Sequence, residues 1–456
     1  MNRFLNLLLL ATQLSFSSRA DDTLRVMSYN VLSYGDHCQG SNSTLHGYLK
    51  TIVQFTQPDI LGLVKVASIT TSSQDFHGLS PMGFGDSILN GALNAAFPGR
   101  YAYGTLTNVA GANSTDVLFY NTQKLGYLGV RTLVVNVEDF NLHKLYYKDP
   151  ALATTHDTTF LYVVLNHTAS GNSSTDRDVQ LTAEVAALKS RLSFLPNLID
   201  MGDFNVHSSA ETGYSALAFA GDSLFKLYDP PFSLDASLTY PGNWDASPQF
   251  YQPFLTTSTR QSSSIPNTCG TNGGAKSWYD HIFLSRWIRS GANYLSYIPG
   301  SYQTIGNDGH RLSISINDNS TYNNTSAPQP VLDALFQMSN KYPIMVQLLV
   351  RSNTSGVSPA NPVENSLSVG TPNHQNNPPL ITSPILNEFR MKLPQEWIGN
   401  AVDFSILDMS GRLVAHQNFM AKSSTFTCPS NLSPGIYLVQ ISYPGSESYR
   451  IKVIKN

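Results

Sequence analysis

The sequence has few charged residues, few cysteines and no long apolar run after its first 20 residues. Charged residues make up 13% of the 456 positions, about half of the usual share. The formal net charge is −3, which excludes an overall positive field that would attract nucleic acid. No later stretch approaches the ~20 apolar residues of a membrane-spanning helix. We therefore expect a globular chain with an uncharged polar surface and no membrane span.

Three cysteines, Cys38, Cys269 and Cys428, are too few and too scattered for a disulfide scaffold. In an oxidising compartment the chain can form one bridge between Cys38 and Cys269. Independent buried thiols are the alternative, and the sequence leaves both open.

Residues 1–20 have the pattern of a secretory signal peptide. Arg3 supplies the positive start, residues 5–10 begin the apolar stretch, and Ser18-Arg19-Ala20 resembles a small-residue cleavage site. An ordinary core helix is the alternative. We expect an exported, soluble protein.

Short apolar runs alternate with helical patterns over residues 21–352. This pattern predicts an α/β layered fold, with a helix over residues 179–192. The predicted strands are residues 24–29, 60–66, 116–120, 160–165, 198–201, 281–284 and 344–350.

The composition changes after residue 352. Residues 353–380 are dense in Ser, Asn and Pro, which predicts a flexible linker. Residues 381–456 return to alternating strands, the clearest at 402–407, 435–442 and 448–454. A small all-β sandwich fits this last segment.

Four segments place polar residues at or near the ends of apolar strands. Polar groups at strand ends converge at one rim of a layered sheet, where sites form. The segments are residues 25–31 with Asn30, residues 58–63, residues 163–167 with His167, and residues 200–205 with Asp203 and Asn205.

Together these segments resemble the endonuclease/exonuclease/phosphatase superfamily, which includes DNase I-like nucleases, sphingomyelinases and sugar or lipid phosphatases. The most specific mark is the Gly-Asp-Phe-Asn sequence at 202–205, and Asp280 lies in a matching aromatic-Asp strand at 278–282. The segments 143–150, 157–160 and 306–309 are similar to exported bacterial members. Over residues 22–352 the resemblance implies a four-layer αββα sandwich, with Asp280 as one of its site residues.

The chemistry that this resemblance implies is hydrolysis of a phosphate ester by water activated by a divalent cation, usually Mg²⁺. Carried over by position, Asn30 would orient the phosphate or the metal, and His167 would donate to a phosphoryl oxygen. Asp203 and Asn205 would orient the attacking water and stabilise the transition state.

Two segments depart from the superfamily pattern. Lys65 stands where the resemblance requires the metal-binding Glu, and no Glu occurs between Asp59 and Arg100. The closing Ser-Asp-His is replaced by Ser339-Asn340-Lys341. An ammonium ~4 Å from a cation repels it by about 4 kcal/mol per unit charge at an effective dielectric constant of 20. We therefore expect no cofactor, and Mg²⁺ or another divalent cation only if the protein is active.

Three interpretations follow. Lys65 and Lys341 hold an anion such as a phosphate, which gives binding without turnover. Alternatively the protein remains a divalent-metal-dependent phosphodiesterase or nuclease with altered ligands, with His310 as the base. In the third, Lys65 pairs with Asp203 or Asp280 in a structural ion pair. Nucleic acid, lipid phosphate and sugar phosphate all suit this fold, and we expect a monomer.

The C-terminal segment carries Gly-Arg-Leu-Val at 411–414, Pro-Gly-Ile-Tyr-Leu-Val at 434–439 and a basic, apolar end at 450–455. It resembles the type A sorting domain of the bacterial type IX secretion system. The resemblance implies the type IX machinery as a partner, and export through the periplasm and outer membrane to the cell surface or medium. An Ig-like adhesion or carbohydrate-binding module is the alternative.

Overall fold

The protein, analysed as a computed structural model, divides into two units, Met1–Ser366 and Leu367–Asn456. The predicted signal peptide at residues 1–20 lies outside the described residues. The structure describes residues 21–36, 38–67, 82–136, 138–235, 238, 242–262, 269–353, 357–364, 380–381, 388–393, 397–408, 413–423, 425–429, 432–442 and 449–455.

The strands of the first unit form two mixed sheets. The first has the order β11-β13-β1-β2-β4-β3, with β12 paired to β13, and the second has the order β5-β6-β7-β8-β10-β9. Their bounds are β1 Asp22–Tyr34, β2 Ile60–Ala67, β3 Tyr101–Tyr103, β4 Ser114–Asn121, β5 Leu125–Val135, β6 Asp139–Tyr147, β7 Phe160–His167, β8 Leu198–Asp203, β9 Leu227–Tyr228, β10 Asp280–Ser285, β11 Leu295–Tyr297, β12 Gln303–Thr304 and β13 Ile344–Val350. All seven strands predicted for this unit are confirmed.

The helices of the first unit cover the outer faces of the sheets. They are α1 Asn42–Thr56, α2 Met82–Ile88, α3 Asn94–Ala96, α4 Leu152–Thr155, α5 Thr175–Arg191, α6 Thr212–Ala218, α7 Pro230–Ser233, α8 Arg286–Ser290 and α9 Gln329–Met338, with a π-helical turn at Leu89–Leu93 and a 3-10 turn at Gln252–Phe254. The α1 helix joins the parallel strands β1 and β2 of the first sheet, and α5 joins the parallel strands β7 and β8 of the second. Such crossover helices pack on a face of their own sheet.

The two sheets pack against each other through their inner faces. At Gly62 in β2, an added Cβ would lie 2.5 Å from the Leu165 side chain in β7 and 2.9 Å from that of Met201 in β8. Only glycine therefore permits this close approach. With helices on both outer faces, the layers are α, β, β and α, which confirms the predicted fold.

The α5 helix follows the predicted apolar spacing. Leu181, Val185 and Leu188 are buried on one face, and each such side chain stabilises the fold by about 1.5–3 kcal/mol when fully removed from water. Asp176 in the first turn and Arg191 in the last complement the helix dipole. The prediction of a helix over 179–192 is confirmed, with its start four residues earlier.

A disulfide joins Cys38 and Cys269 across 231 residues, with their Cα atoms 6.0 Å apart. Of the two options that the sequence left open, the structure has the bridge.

Part of the predicted linker lies against the first unit. Ser358 Oγ donates to Asp157 Oδ1 at 3.0 Å, and Tyr162 Oη donates to Glu364 Oε1 at 2.6 Å. Polar contacts thus hold residues 357–364 against the rest of the first unit. The predicted domain boundaries stay predictions.

The second unit is all-β. Its strands form a three-stranded sheet, β14-β15-β18, and a four-stranded sheet, β17-β16-β19-β20. Their bounds are β14 Leu380–Ile381, β15 Glu388–Lys392, β16 Ala401–Asp408, β17 Leu413–Met420, β18 Thr425–Pro429, β19 Gly435–Ser442 and β20 Tyr449–Lys455. Phe389 and Met391 of one sheet share a core with Phe404 and Val439 of the other. The three strands predicted here are confirmed.

No helix in the described parts of the chain is long and apolar enough to cross a membrane.

Candidate functional site

The polar strand ends of the two sheets meet at one rim. Asn30 lies near the carboxyl end of β1, while His167 and Asp203 end β7 and β8 and are paired in register. Asp280 begins β10, which runs antiparallel to β8, so it faces Asp203 in the ladder. All four are buried, and Asn30 Nδ2 donates to Asp203 Oδ2 at 2.8 Å. The structure thus brings together four residues that the sequence analysis selected.

A tight turn after β8 holds Asp203 and Asn205 in place. Asn205 has a left-handed φ of 47°, its backbone N–H donates to Asp203 Oδ1 at 3.1 Å, and its Nδ2 donates to the Thr168 carbonyl at 3.0 Å. Gly202 lies so close to β7 that an added Cβ would stand 1.9 Å from the Asn166 carbonyl oxygen. The tetrapeptide at 202–205 therefore fixes the carboxylate, and the Asn205 amide serves as a brace for the turn.

Lys341 enters this cluster from the segment that follows α9. Ser339 Oγ donates to the Asn30 carbonyl at 2.8 Å and accepts the Lys341 backbone N–H at 3.1 Å. The Lys341 ammonium is 2.8 Å from Asp203 Oδ2 and 4.0 Å from Asp280 Oδ2. It also lies 4.8 Å above the centre of the Tyr279 ring. Lys341 is 7% exposed, so this is a buried ion pair.

The charges in the cluster set one another's protonation. Burial alone would raise the pKa of Asp203, but the ammonium of Lys341 and the charge of His167 lower it to about 2. Burial, followed by the nearby charge of Asp203, raises the pKa of Asp280 to about 8. Burial opposes the charge on Lys341, yet the two carboxyl groups raise the pKa of Lys341 above its ordinary value. Lys341 is therefore a cation at neutral pH and does not act as a general base.

A second acidic pair stands behind His167. His167 Nδ1 is 2.8 Å from Glu138 Oε1. Burial alone would lower the pKa of His167, but the contact with Glu138 and the charges of Asp203 and Asp116 raise it. Burial and the proximity of Glu138 raise the pKa of Asp116 well above its ordinary value. Neither acid is predicted as a site residue from the sequence, because Glu138 belongs to no motif and Asp116 lies in a predicted strand that carries no site motif.

Lys65 occupies a bulge instead of a regular strand position. The pairing of β2 with β4 shifts register between Leu63 and Val66, and Lys65 has a left-handed φ of 61°. Its backbone amide lies beside the carboxyl group of Asp116, and its side chain is half-buried.

The predicted ion pair of Lys65 with Asp203 or Asp280 is wrong. Of the described lysines, Lys341 pairs with both acids, because the loop after α9 is anchored to Asn30 and delivers its ammonium to the rim. An ion pair of a lysine with these two acids is therefore present, but the lysine is Lys341 and not Lys65.

His310, the alternative base, lies outside the buried cluster that contains Asp203 and His167. It is exposed and stacks on Tyr322, with ring centres 4.7 Å apart. In the described part of the chain, no hydrogen bond or ion pair joins it to Asp203 or His167.

In this arrangement Asp203 has no oxygen without a partner that could bind a divalent cation. Asp203 Oδ2 accepts a hydrogen bond from Asn30 Nδ2 and forms an ion pair with the Lys341 ammonium. Asp203 Oδ1 accepts a hydrogen bond from the Asn205 backbone N–H. Over the described residues, no group of three His, Cys, Asp or Glu side chains is arranged to hold a metal ion. An internal ammonium already supplies the positive charge at this point.

The second unit matches a known family. Residues 383–456 match the model of the "Secretion system C-terminal sorting domain". This confirms the sorting interpretation over an adhesion or carbohydrate-binding module. Among proteins with curated descriptions, none matches the sequence.

Several solved structures are similar to the chain, at low identity. The human Nocturnin catalytic domain, with bound sulfate, is 13% identical, with a TM-score of 0.41 over 73% of this chain and 98% of that chain. An endonuclease/exonuclease/phosphatase family protein of Bacteroides thetaiotaomicron is 14% identical, with a TM-score of 0.41 over 73% and 96%. A mannosyl-6-phosphatase of the same species is 14% identical, with a TM-score of 0.40 over 71% and 99%. At this similarity, nothing about their substrates or metals transfers to this chain.

The match at residues 383–456 settles the location of the protein. The chain ends in a secretion-system C-terminal sorting domain, through which it is exported by the type IX system to the cell surface or the medium.

Proposed function

We propose that the first unit is an endonuclease/exonuclease/phosphatase-superfamily protein of phosphodiesterase ancestry that has lost conventional metal-dependent hydrolysis and binds a phosphate-bearing ligand. One observation carries the loss of hydrolysis. The Lys341 ammonium lies 2.8 Å from Asp203 Oδ2 and 4.0 Å from Asp280 Oδ2, among the carboxyl groups that a catalytic cation would need.

Charge repulsion supports this proposal. A divalent cation ~4 Å from Lys341 would be repelled by about 4 kcal/mol per unit charge at an effective dielectric constant of 20. The cationic Lys65 also stands where the superfamily pattern has its metal-binding Glu. In addition, Lys341 stays protonated because of its carboxyl neighbours, so it cannot activate water in place of the missing His.

The proposal of a phosphate ligand depends on Lys65. Of the two lysines that the sequence analysis assigned to an anion, Lys341 is already committed to Asp203. Among the described residues, Lys65 has no carboxylate oxygen within 4 Å of its ammonium. A lysine binds phosphate as a point charge, so we assign the ligand contact to Lys65.

The metal part is tested by restoring the missing ligands. We expect calorimetric titration of the wild type with Mg²⁺, Mn²⁺ and Ca²⁺ to show no binding at millimolar metal. The triple variant Lys65→Glu/Asn340→Asp/Lys341→His gains two carboxylates and loses the internal cation, so we expect it to bind metal. Lys148→Glu, a surface change in the same charge direction, serves as the control.

Two results would contradict this. Stoichiometric metal binding by the wild type, with hydrolysis of a bis-aryl phosphate that depends on Asp203, would instead support an active phosphodiesterase or nuclease with altered ligands. Unchanged metal affinity in the triple variant would show that the site is misplaced.

The phosphate part is tested with inorganic phosphate as the probe. We expect Lys65→Met to bind phosphate at least about tenfold more weakly than the wild type, a loss of about 1.4 kcal/mol. Lys148→Met should leave the affinity unchanged. Equal phosphate affinity in Lys65→Met and the wild type would refute the assignment of Lys65.

A further inference from the structure

A basic and aromatic surface lies at the other end of β10 from the Asp203–Lys341 ion pair. Asp280 begins this strand beside the ion pair and Ser285 ends it, roughly 16 Å away at about 3.3 Å per residue. The α8 helix follows directly, beside the edge strand β9. We call this the β9–α8 surface and define it by Lys226, Tyr228, Arg286, Trp287 and Arg289.

The β9–α8 surface contains two adjoining cavities. One, of 280 Å³, includes Lys226 and the apolar side chains of Ala218 and Leu227. The other, of 680 Å³, includes Arg286 and Trp287, and both are lined by Tyr228 and Arg289. Known ligand sites occupy about 300–1,000 Å³, so the pair has room for more than one ring of a chain ligand.

The cations of this surface lie over aromatic rings. The Arg289 guanidinium is 4.6 Å from the centre of the Tyr228 ring, and the Lys226 ammonium is 5.4 Å from it. The Arg286 guanidinium is 4.8 Å from the Trp287 ring. Within the described residues, none of the three has a carboxylate oxygen within 4 Å. The surface is therefore locally positive in a chain whose net charge is −3.

The arrangement selects an oxyanion over a nucleobase. A guanidinium held over a ring keeps the N–H groups at its edge for paired hydrogen bonds with a planar carboxylate or a similar oxyanion. Single-stranded nucleic acid needs open ring faces on which bases stack. Here Tyr228 already faces Arg289 and Lys226, while Trp287 faces Arg286 and also contacts Phe194, 5.9 Å between ring centres.

Because the protein is exported, the ligand of this surface must be one that is found outside the cell. We infer that the β9–α8 surface binds an anionic polysaccharide, through carboxylate or sulfate groups that pair with Arg286 and Arg289. Ser233 and Ser290 line the two cavities. Their hydroxyl groups donate to the backbone carbonyls of Asp229 and Trp287, so their oxygens serve a sugar hydroxyl as acceptors.

The test is a binding titration of the full chain with four polymers at low and high salt. The polymers are polygalacturonate, dextran sulfate, neutral dextran and poly-dT. We expect binding to polygalacturonate or dextran sulfate, whichever group the surface prefers, and a weaker affinity at high salt. Arg286→Gln/Arg289→Gln should lose at least about tenfold in affinity, and Arg286→Lys/Arg289→Lys should lose less because it keeps the charge without the planar fork.

The matched control is Arg100→Gln, because Arg100 also lies over an aromatic ring, 3.8 Å from the centre of Phe97. An unchanged melting temperature shows that each variant is folded. Binding only to poly-dT, equal binding to neutral dextran, or undiminished binding by the double Gln variant would each overturn the inference. Lys65→Met should bind the polysaccharide normally, which keeps this test separate from the test of phosphate binding at Lys65.

Discussion

Replacing Lys341 with methionine is expected to lower the free energy of unfolding of the first unit by about 3–5 kcal/mol at pH 7. The change leaves Asp203, which is 1% exposed, as a buried carboxylate without its cation. Urea unfolding followed by the fluorescence of Trp244 and Trp278, both buried in this unit, measures the loss. Lys148→Met, at an exposed lysine, should change stability by less than about 0.5 kcal/mol.

The pH dependence of the Lys341→Met variant follows from the pKa of Asp203. In the wild type this pKa is lowered to about 2, against about 3.9 in an unfolded chain. The carboxylate therefore contributes stability above pH ~4, which is lost as the pH falls towards 2. Without the ammonium the pKa of Asp203 rises, and protonation then relieves the buried charge. We expect the stability difference between wild type and variant to shrink steadily from pH 7 to pH 4.

A double-mutant cycle isolates the pair. Adding Asp203→Asn to Lys341→Met removes the uncompensated charge, so the double variant should be more stable than Lys341→Met alone. Asn30 still has an acceptor in the new amide oxygen. A loss below about 1 kcal/mol for Lys341→Met, or no recovery in the double variant, would contradict the ion pair.

Removing the disulfide is the change with the second largest expected effect. Cys38→Ser/Cys269→Ser should lower the free energy of unfolding by about 2–5 kcal/mol, because the bridge restricts a very long loop of the unfolded chain. Cys428→Ser is the control, and a reducing agent should reproduce the loss in the wild type. Equal urea midpoints for the oxidised wild type and the Cys38→Ser/Cys269→Ser variant would disprove a stabilising bridge.

The bridge also supports the segment that packs against Asn340. Arg260 is buried and donates to Gln39 Oε1 at 2.7 Å and to the Cys269 carbonyl at 3.4 Å, so it joins the two chain segments beside the disulfide. Next to Cys269, an added Cβ at Gly270 would lie 2.7 Å from the side chains of Asn340 and Leu32. Loss of the bridge should therefore loosen the segment against which Asn340 packs. Faster amide hydrogen exchange at residues 269–275 in the serine variant would accompany the loss of stability.

Local sequence patterns were sufficient to predict seven strands of the first unit and the polar residues at their ends. Apolar runs bounded by turns define buried strands, and the carboxyl ends of parallel strands meet at one edge. That local rule is enough to place His167 and Asp203 together, at the ends of β7 and β8. Asn30 belongs to the other sheet, and it reaches Asp203 because the two sheets pack face to face. The C-terminal motifs likewise identified the sorting domain, because its turn glycines and apolar alternation lie close together in the sequence.

Which charged side chains form ion pairs depends on long-range packing. Lys65 and Lys341 are both lysines in altered motifs, and nothing local distinguishes them. Lys65 lies at the bulge in β2 and pairs with neither Asp203 nor Asp280 in the described structure, while the Ser339 contact with Asn30 brings Lys341 to Asp203. Glu138 reached His167 for a similar reason, because burial and long-range packing bring together groups that share no motif. An ion pair forms only when two charged side chains are close in space. Their separation along the sequence does not give that distance, which is set by the packing of the folded chain.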